Sequence, residues 1–488
     1  MSTVAAQRLS HLLSGIAAIA PTEDMDIAGI SADSRRIEPG WLFLAAPGMR
    51  ADGRAFVAGA LARGAVAIVY ERGELPLAVS VPAIPVQGLS ARIGEIADRF
   101  FGSPSRKVFV VGVTGTNGKT TCTHLLAQVL DTAEARCGLI GTLGAGFPDA
   151  LAPATHTTPD AISVHGLFNR FVRDGAASVC MEVSSHALDQ GRVQGVAFDV
   201  AVFTNLTRDH LDYHGTMQDY AAAKTRLFDV AGLRAAVINH DDELGRALIE
   251  KVARRIKVVS FGFEQGDVRA TQVIPAPDGL TLDVATPRGE ITLHSPLLGR
   301  FNAANLLAVL AVLLESGMDL TQAAARLSLA RPVAGRMERF GGGASRPLVV
   351  VDYAHTPDAL QQALAALREH TRGRLWCVFG CGGDRDRGKR PLMGGIAERL
   401  ADVVLLTDDN PRHEPAQSII DDILAGMQTT PTVVRERRQA IRLALREASG
   451  GDVVLIAGKG HEDYQQVGDL RHAYSDRALV QELLGEAA

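Results

Sequence analysis

The sequence predicts an α/β protein that folds as three domains, and three observations lead to this prediction. The chain has 488 residues, which at roughly 150 residues per domain corresponds to about three domains. From residue 108 onward, short apolar runs alternate with amphipathic stretches, the pattern of strands joined by helices in mostly parallel sheets. The 49 glycines are typical of the many tight turns that such strand–helix units need.

Composition and charge exclude several classes of protein. Hydrophobic residues make up 47% of the chain and charged residues 22%, proportions typical of globular proteins and not of disordered or collagen-like chains. The net charge is −5, whereas proteins that bind a nucleic-acid backbone usually carry a basic excess. We therefore expect small-molecule substrates and no nucleic-acid partner, and we expect a monomer.

The cysteines and the apolar runs indicate in which cellular compartment the protein is expected. The five cysteines are widely spaced, so free thiols in a reducing compartment are expected. The longest apolar run, Leu306–Leu314, has about nine residues, and a membrane span needs ~20. The N-terminus also lacks a charged segment followed by a long apolar stretch. The sequence therefore predicts a cytoplasmic protein that does not insert into a membrane.

The first predicted domain, residues 1–103, is the smallest and has a mixed α/β pattern. Short apolar strands are predicted at Trp41–Ala45 and Val66–Tyr70, separated by turns that contain glycine and proline. The segment Phe101–Lys107 has the composition of a linker, so we expect the domain to end there.

The central domain, residues 104–332, opens on Val108–Val113, a continuous apolar run that predicts a buried parallel strand. A glycine-rich turn and a helix over about Thr120–Ala133 follow. Alternating apolar and polar residues predict a small antiparallel insertion at 268–298, and helical periodicity returns over 302–330. Further strands are predicted at Ser178–Val183, Val200–Thr204, Ala236–Asn239 and Lys257–Phe261.

The third domain, residues 333–488, repeats the strand–helix alternation and is predicted to be Rossmann-like. Its predicted strands are Leu348–Asp352, Leu375–Phe379, Val403–Thr407 and Val453–Ala457. Helices are predicted around 357–370, 390–400, 415–427 and 435–448.

A candidate phosphate loop makes the central domain one of the P-loop type. In Val111–Thr120 a strand runs into glycines, and Lys-Thr opens a helix whose N–H groups and dipole favour phosphate. Lys119 would contact the β- and γ-phosphates, and Thr120 would offer a hydroxyl to Mg²⁺. The strict signature is not met, because Val113 stands where it requires glycine. The candidate ATP-binding residues here are Gly115, Thr116, Asn117, Gly118, Lys119, Thr120 and Thr121.

Polar residues that follow neighbouring strands suggest metal chemistry. Glu182 ends an apolar strand, where a carboxylate faces a phosphate loop and binds Mg²⁺. The segment Thr204–His214 follows the next strand and contains His210 as a candidate ligand, with Asp209 and Asp212 as ligands or orienting partners. Taken alone, these features do not distinguish a hydrolase, a kinase and a ligase.

Together these residues resemble the Mur ligase family, whose members form amide bonds with ATP in peptidoglycan precursor synthesis. The resemblance covers nearly the whole chain in order, and the N-terminal Asp33-Ser-Arg35 also fits it. Its motifs are Thr114–Thr120, Glu182–His186, Asn205–Asp212, Ala223–Phe228, Gly299–Asn305, Gly335–Glu338, Asp352–Asp358 and Gly380–Asp386.

The resemblance implies roles that the residues alone do not. Lys224 reads by itself as a helix lysine among alanines, but it falls where the family carries a carbamylated lysine, a CO₂-derived group that binds Mg²⁺ together with His210. Two Mg²⁺ ions are then expected, the other on Thr120 and Glu182. Lys119, His210 and Lys224 are the implied catalytic residues. Further ATP contacts are implied at Asn302, Arg336 and Asp352, while the role of His355 is left open.

The motif Asp409-Asn-Pro-Arg412 resembles that of the members that add meso-diaminopimelate. This substrate differs from lysine by a second carboxylate, which a guanidinium would bind in a bidentate fork. A site built around that arginine would reject lysine strongly, since the guanidinium would be left unpaired. The residues implied in this pocket are Arg385, Asp409, Asn410, Pro411, Arg412, Gly458 and Glu462.

Contacts to the UDP-sugar substrate are implied by resemblance in the first two domains. One departure stands out: His156 occupies the place before Thr157 where the family has Asn, which puts its contact in doubt. The implied residues are Ala32, Ser34, Met49, Arg50, Ala51, Thr157, Thr158, Ser184, Gln190 and Arg192.

The resemblance therefore implies a ligase that uses ATP to add diaminopimelate to UDP-N-acetylmuramoyl-L-alanyl-D-glutamate through an acyl phosphate. A lysine-adding homologue and a folylpolyglutamate synthase-like ligase are the enzymatic alternatives. A regulatory protein that uses its phosphate loop as a switch is the alternative from another class, but such a protein would need no second metal site.

Overall fold

Three mostly parallel sheets follow one another along the chain. They are seen in a computed structural model that describes residues 5–48, 51–154, 156–276, 279–343 and 345–485. Helices connect and cover the strands, which confirms the predicted α/β class. The domain boundaries near residues 103 and 332 stay predictions.

The first sheet is parallel throughout, with strand order β3-β4-β5-β6. Both strands predicted for this part are present, and the second of them, β5, is slightly longer than predicted. The strands are β1 (Gln7–Arg8), β2 (Asp26–Ile27), β3 (Gly29–Ser31), β4 (Trp41–Ala45), β5 (Ala65–Glu71) and β6 (Ala83–Val86). The helices are α1 (Leu9–Leu12), α2 (Val57–Ala62) and α3 (Ile93–Phe100), with 3₁₀ helices at Ser34–Arg36, Gly53–Phe56 and Leu89–Ala91.

The predicted linker is an ordered, packed segment. Within it Pro104–Lys107 forms a 3₁₀ helix. Ser105 is 1% exposed, and its hydroxyl accepts a hydrogen bond of 3.0 Å from the Ala197 N–H. At Gly94 on α3 a β-carbon would clash with the carbonyl of Gln194, so the two segments meet backbone to backbone. This close packing fixes the first sheet against the second.

The second sheet has eleven strands and places β7 between β11 and β12. Strands β8, β11, β7, β12, β13, β14 and β15 are parallel in that order. The strands are β7 (Phe109–Thr114), β8 (Arg136–Gly141), β9 (Gly144–Phe147), β10 (Ala150–Ala152), β11 (Ala176–Glu182), β12 (Val200–Phe203), β13 (Ala235–Asn239), β14 (Lys257–Gly262), β15 (Val268–Ala276), β16 (Gly279–Thr286) and β17 (Gly289–Ser295).

The helices of this part include one that is apolar on every side. Residues 306–314 on α10 are all buried, because the helix packs against α4, α11 and the strands β13 to β15. In the described ranges, no helix is both long and apolar enough to cross a bilayer. The helices are α4 (Lys119–Leu130), α5 (Ala161–Arg173), α6 (Ser185–Asp189), α7 (Leu211–His214), α8 (Met217–Thr225), α9 (Glu243–Val252), α10 (Arg300–Glu315) and α11 (Leu320–Ser328), with a 3₁₀ helix at Arg226–Asp229.

Two parts of this sheet differ from the sequence prediction. The antiparallel strands β15 to β17 are present, but they extend the main sheet through a parallel pairing of β14 with β15. Strands β8 to β10 were not predicted, because glycines weaken their pattern. A β-carbon at Gly138 would clash with the Phe171 ring, and one at Gly141 with the Glu182 carboxylate, so these glycines allow close packing inside the sheet.

The third sheet has the order β18-β19-β23-β20-β21-β22 and is parallel except for β18. The four predicted strands and helices are present, with ends shifted by a few residues. The strands are β18 (Glu338–Gly341), β19 (Leu348–Asp352), β20 (Leu375–Phe379), β21 (Val403–Leu406), β22 (Thr432–Val433), β23 (Val453–Ala457), β24 (Tyr464–Val467) and β25 (Leu470–Ala473). The helices are α12 (Pro357–His370), α13 (Lys389–Leu400), α14 (Ala416–Leu424), α15 (Arg437–Glu447) and α16 (Asp476–Leu484).

Helix α12 touches the second sheet's domain at both of its ends. At the start of the helix, Asp358 Oδ2 accepts a hydrogen bond of 3.2 Å from Asn117 Nδ2. At the other end, His370 Nδ1 lies 2.9 Å from the carbonyl oxygen of Ala276, the last residue of β15. Thr356 caps the helix by accepting from the Ala359 N–H.

Candidate active site

A cavity of about 450 Å³ lies where the second and third sheets meet. The carboxyl ends of β7, β11 and β12 form one side, and the end of β19 with the start of α12 forms the other. Ligands bind at this edge in parallel α/β sheets. Predicted residues that line the cavity are Thr116, Asn117, Gly118, Lys119, Thr120, Thr121, Thr157, Glu182, Ser184, His210, Lys224, Asn302, Arg336 and Asp352.

The phosphate loop joins β7 to α4, which begins at Lys119. Gly115 and Gly118 have φ of +145° and +86°, and a β-carbon would clash with the Thr204 hydroxyl at the first and with the Asn305 side chain at the second. Lys119 Nζ donates to the carbonyls of Gly115 and Thr116, each at 2.8 Å. Burial lowers the pKa of Lys119. The loop therefore has the tight backbone that phosphate binding requires, although the strict signature is absent.

Glu182 is the last residue of β11 and is fully buried. Because β11 pairs in parallel with β7, Glu182 lies opposite Val113 at the start of the phosphate loop. Its carboxylate accepts from Thr142 N at 2.8 Å and from Thr120 Oγ1 at 3.0 Å. The structure thus brings together Thr120 and Glu182, a hydroxyl and a carboxylate, and oxygen donors of this kind suit Mg²⁺.

Lys224 lies on α8 and is 1% exposed. Its Nζ donates to the Gly115 carbonyl at 2.7 Å and lies 4.4 Å from the centre of the Tyr220 ring. Among the ion pairs formed by described residues, none includes Lys224. Burial, together with the nearby Lys119 ammonium, holds its pKa well below the usual value. The buried amine therefore has a strong tendency to be neutral.

His210 lies next to Lys224 in the cavity lining and has φ of +52°. Its Nε2 is 3.4 Å from Asp209 Oδ2, and its ring packs edge-on against His186 at 4.9 Å. Asp212 does not line the cavity, and His214 Nε2 lies 3.0 Å from the Ser185 hydroxyl. In the part of the chain that the structure describes, no group of three His, Cys, Asp or Glu side chains is arranged to hold a metal.

The three further ATP candidates lie around the same cavity. Asn302 on α10 is 2% exposed and donates to the Leu298 carbonyl at 2.8 Å. Asp352 ends β19 and accepts from Met337 N at 2.7 Å, and burial raises its pKa. Arg336 Nη2 lies 3.4 Å from Thr120 Oγ1.

Arg336 has an unused donor. Its Nη1 is buried and has no hydrogen-bond partner among the described residues, while its guanidinium lies 4.4 Å from the centre of the Tyr353 ring. A buried donor without an acceptor is costly. The side chain is therefore prepared to bind an anionic oxygen.

Three residues beyond the predicted set also shape the cavity. His355, whose role was left open, has Nδ1 2.8 Å from its neighbour's carbonyl, and its own carbonyl accepts from Lys389 Nζ at 2.8 Å. Burial raises the pKa of Asp358, which contacts Asn117 in the phosphate loop. The Tyr220 hydroxyl lies 3.2 Å from Thr116 Oγ1. In the sequence, His355 and Asp358 lie within the motif Asp352–Asp358, whereas Tyr220 is marked only by its position on a helix.

The predicted UDP-sugar contacts of the second sheet form one connected network. Thr158 Oγ1 donates to the Glu182 carbonyl at 2.8 Å, and Arg192 donates to the Thr158 carbonyl at 3.0 Å and to Gln190 Oε1. Ser184 caps α6. Thr157 Oγ1 lies 3.0 Å from Thr142 Oγ1, and His156 is exposed.

The N-terminal candidates follow the carboxyl ends of β3 and β4. Because those strands are parallel, Ala32, Ser34 and Ala51 lie at one edge of the first sheet. None of the three lines the cavity. Met49 and Arg50 lie outside the described residues.

The residues implied in the diaminopimelate pocket come together beyond β21 and β23. Asn410 is 2% exposed and donates to Glu462 Oε2 at 2.8 Å. A β-carbon at Gly458 would clash with the Asp409 carboxylate, so Gly458 allows the two segments to approach. Pro411 is buried, and its carbonyl lies against Gly383.

Arg412 is held in an unusual conformation. Its φ is +51°, and its N–H and carbonyl bond to Gln466 and Gly468 of the β24–β25 hairpin. Its Nη1 donates to the Gly383 carbonyl at 2.8 Å. In the described residues Arg412 forms no ion pair, and Arg385 lies beside it across Gly382.

Known proteins match the chain over nearly its full length. The model named Mur ligase family, catalytic domain, matches residues 26–101, the Mur ligase middle domain matches 113–313, and the Mur ligase, glutamate ligase domain, matches 335–460. UDP-N-acetylmuramoyl-L-alanyl-D-glutamate–2,6-diaminopimelate ligase of Alkalilimnicola ehrlichii is 52% identical over 98% of this chain and 99% of its own. The ligase of the same name from Pseudomonas aeruginosa is 51% identical over 93% and 94%. A solved structure of a ligase with that name is 37% identical, covers 98% and 99%, and has a TM-score of 0.74.

Proposed function

The chain belongs to the Mur ligase family of ATP-dependent amide ligases, and we propose that it adds meso-2,6-diaminopimelate to UDP-N-acetylmuramoyl-L-alanyl-D-glutamate in peptidoglycan precursor synthesis. Relatives that are about half identical over nearly their full length are named for that activity. The observation that carries the proposal is the Arg412 guanidinium, half-buried without a carboxylate partner on the segment that binds Glu462.

The chemistry of the amino acid explains why this observation is decisive. Diaminopimelate ends in an ammonium and a carboxylate on its far carbon, whereas lysine ends in an ammonium alone. A guanidinium binds a carboxylate through two parallel hydrogen bonds and stays charged at any working pH. Arg412 would therefore pair with the far carboxylate and Glu462 with the far ammonium. The remaining pocket residues, Arg385, Asp409, Asn410, Pro411 and Gly458, would enclose these groups.

The proposed reaction activates a carboxylate before the amide forms. The γ-carboxylate of the D-glutamyl residue attacks the γ-phosphorus of ATP, the bond to the β–γ bridging oxygen breaks, and an acyl phosphate and ADP form. The neutral amine of diaminopimelate then attacks the acyl carbon, phosphate leaves with the bonding electrons, and the nitrogen releases one proton to solvent to give the neutral amide. Lys119 and the backbone N–H groups of residues 115–121 would stabilise the negative charge on the transferring phosphoryl group.

The other proposed ATP contacts are made by side chains of the cavity that have an unused hydrogen-bond donor or a buried acceptor. Arg336 Nη1 would donate to a phosphate oxygen, since it has no acceptor of its own in the described structure. Asn302 and Asp352 would hold the nucleotide from opposite sides of the cavity that they line. The UDP end would bind at Ala32, Ser34 and the neighbouring residues 49–51. The sugar–peptide part would bind at Thr157, Thr158, Ser184, Gln190 and Arg192.

Two Mg²⁺ sites are proposed, and the residues fit them unequally. Thr120 and Glu182 fit one ion as they stand. His210 with an ammonium at Lys224 does not fit a cation, but a carbamate at Lys224 would supply two oxygens. We propose this modification because Lys224 is buried and lacks a carboxylate partner: its neutral amine attacks CO₂ and releases a proton. Bound Mg²⁺ supplies charge neutralisation between the substrate carboxylate and the phosphates.

The test is phosphate release from ATP with the UDP-dipeptide substrate and diaminopimelate, lysine or no amino acid, with the product identified by mass. Release and product with diaminopimelate only are expected. Product with lysine instead would identify a lysine-adding homologue, and product with glutamate and a folate a folylpolyglutamate synthase-like enzyme. Phosphate release at the same rate with and without these substrates would contradict the ligase assignment.

The setting of the reaction is also proposed. Five cysteines are buried free thiols, which suits the reducing cytoplasm where we place the enzyme. We also propose that a monomer is active, and light scattering during size-exclusion chromatography would measure its mass.

A further inference from the structure

Lys459 is a fully buried lysine to which the proposed reaction assigns no role. It follows β23, between the two pocket residues Gly458 and Glu462, and it is 0% exposed. Its Nζ donates to Asn410 Oδ1 at 3.0 Å and pairs with Glu462 Oε2 at 3.1 Å. A buried ammonium is costly unless it is paired and hydrogen-bonded, and both partners of this one belong to the diaminopimelate pocket.

The topology explains why a long side chain is needed here. Strand β20 lies between β21 and β23 in the sheet, so the segments that follow β21 and β23 begin about 9–10 Å apart, two strand spacings. Lys459 reaches from one segment to Asn410 on the other. Asn410 closes the network by donating to Glu462 Oε2 at 2.8 Å and by accepting from the Gln466 N–H at 2.9 Å. The ammonium therefore orients both pocket segments together with the direct bond between Asn410 and Glu462.

The network also fixes how Glu462 meets a ligand. Both hydrogen bonds that its carboxylate accepts from the described residues end on Oε2, which leaves Oε1 available to an ammonium. Lys459 offsets the negative charge of Glu462, while the positive charge of Arg412 has no carboxylate beside it. The pocket therefore suits a ligand end that carries one positive and one negative charge.

We propose that Lys459 is a positioning residue that sets the preference for diaminopimelate over lysine, an inference that rests on the proposed function. The ammonium holds Glu462 and Asn410 in place and balances the Glu462 charge. Without it, the pocket gains one net negative charge. That change favours lysine, whose far end carries only a positive charge.

The test is Lys459→Met, which keeps a chain of similar length and removes the charge. We expect the KM for diaminopimelate to rise at least roughly ten-fold, since a buried partner is lost. The KM values for ATP and the UDP-dipeptide are expected to stay within about two-fold. The ratio of kcat/KM for diaminopimelate to that for lysine is expected to fall. Lys257→Met is the matched control, because it breaks an ion pair of 2.7 Å with Glu315 in the second domain.

Wild-type kinetics come first, because a wild type that does not use diaminopimelate overturns the proposed function and not this inference. If the wild type uses it, equal changes in all three KM values, or an unchanged preference, would overturn the role of Lys459. Glu462→Gln is a second variant that does not depend on whether Lys459→Met folds. It leaves one net positive charge, so the preference for diaminopimelate over lysine should increase, and a decrease would contradict the inference.

Discussion

At the scale of single residues, the site is marked by basic side chains that lie in the interior before any ligand arrives. Lys224 and Lys459 have almost no exposure, and burial lowers the pKa of Lys119. Arg336 keeps a buried donor without an acceptor among the described residues. A protein interior holds such groups only where a partner or a ligand offsets them. Each of them is therefore a position where substitution should change binding or rate more than stability.

Replacing Lys224 tests the proposed carbamate. Lys224→Ala should lower kcat by at least roughly a hundred-fold, because it removes a group that stabilises charge at the reacting atoms. Short carboxylic acids should restore part of the rate by occupying the space of the carbamate. Phosphate release at controlled bicarbonate measures both effects. Wild-type activity in the variant at low bicarbonate would end the carbamate proposal.

Replacing Arg412 tests the amino-acid pocket. Arg412→Ala should raise the KM for diaminopimelate far more than that for ATP, by roughly a hundred-fold or more, since the lost bond is to a charged group. Initial rates at varied concentrations of each substrate give the two values. Arg288→Ala, on the β16–β17 turn, is a control for loss of an arginine elsewhere. An equal rise in both KM values would remove Arg412 from the pocket.

At the scale of elements, the glycines of the phosphate loop set the geometry. Gly118→Ala should weaken ATP binding at least roughly ten-fold, because φ is +86° and the new methyl group would contact Asn305. Gly317→Ala is the matched control: its φ is +94° with open space around it, so it should lower stability by ~1 kcal/mol without affecting ATP. Calorimetry of ATP binding and thermal unfolding separate the two. Equal ATP affinity in both variants would contradict a specific role for Gly118.

The elements also show how far a sequence can predict a structure. Continuous apolar runs predicted the strand that leads into the phosphate loop and the strand that ends at Glu182, since buried parallel strands need no other pattern. Strands β8 to β10 were missed because Gly138 and Gly141 are there to allow close packing. That need comes from neighbouring segments of the folded sheet and cannot be seen in the strand sequence itself. The role inferred for Lys459 could not be predicted for the same reason, because it depends on two segments that only the folded sheet brings together.

At the scale of the whole molecule, the proposed reaction draws on residues of two domains in contact. Asp358 of the third domain touches Asn117 in the phosphate loop, and contact of this kind would exclude water from the proposed acyl phosphate. Asp358→Ala should therefore raise the ratio of phosphate released to amide formed, as water competes with the amine. Parallel assays of phosphate and product give the ratio, with Asp421→Ala on exposed α14 as the control. An unchanged ratio would show that this contact does not protect the intermediate.

Stability as a whole should fall in mild acid. Burial lowers the pKa of His124 to about 4 and that of His461 to about 3, while both rise to about 6.5 in the unfolded chain. Below pH 6.5 the unfolded chain binds more protons, so each histidine lowers the free energy of unfolding by up to ~1.4 kcal/mol per pH unit until its folded pKa is reached.

Urea unfolding between pH 7 and 5 measures this slope. His124→Gln should make the dependence of the unfolding free energy on pH less steep, because one of the histidines with a lowered pKa no longer titrates. A slope equal to that of the wild type would show that His124 does not stay neutral in the folded protein.

The two end contacts of α12 constrain how the third domain can move. A helix of 14 residues is about 21 Å long, and it touches the second domain at Asp358 and again at His370. Between these ends, Ala366 lies against Gly299 at the start of α10, so the two domains meet along the length of α12. A shift of the helix at its phosphate-loop end would therefore also displace its contact with β15 at the other end.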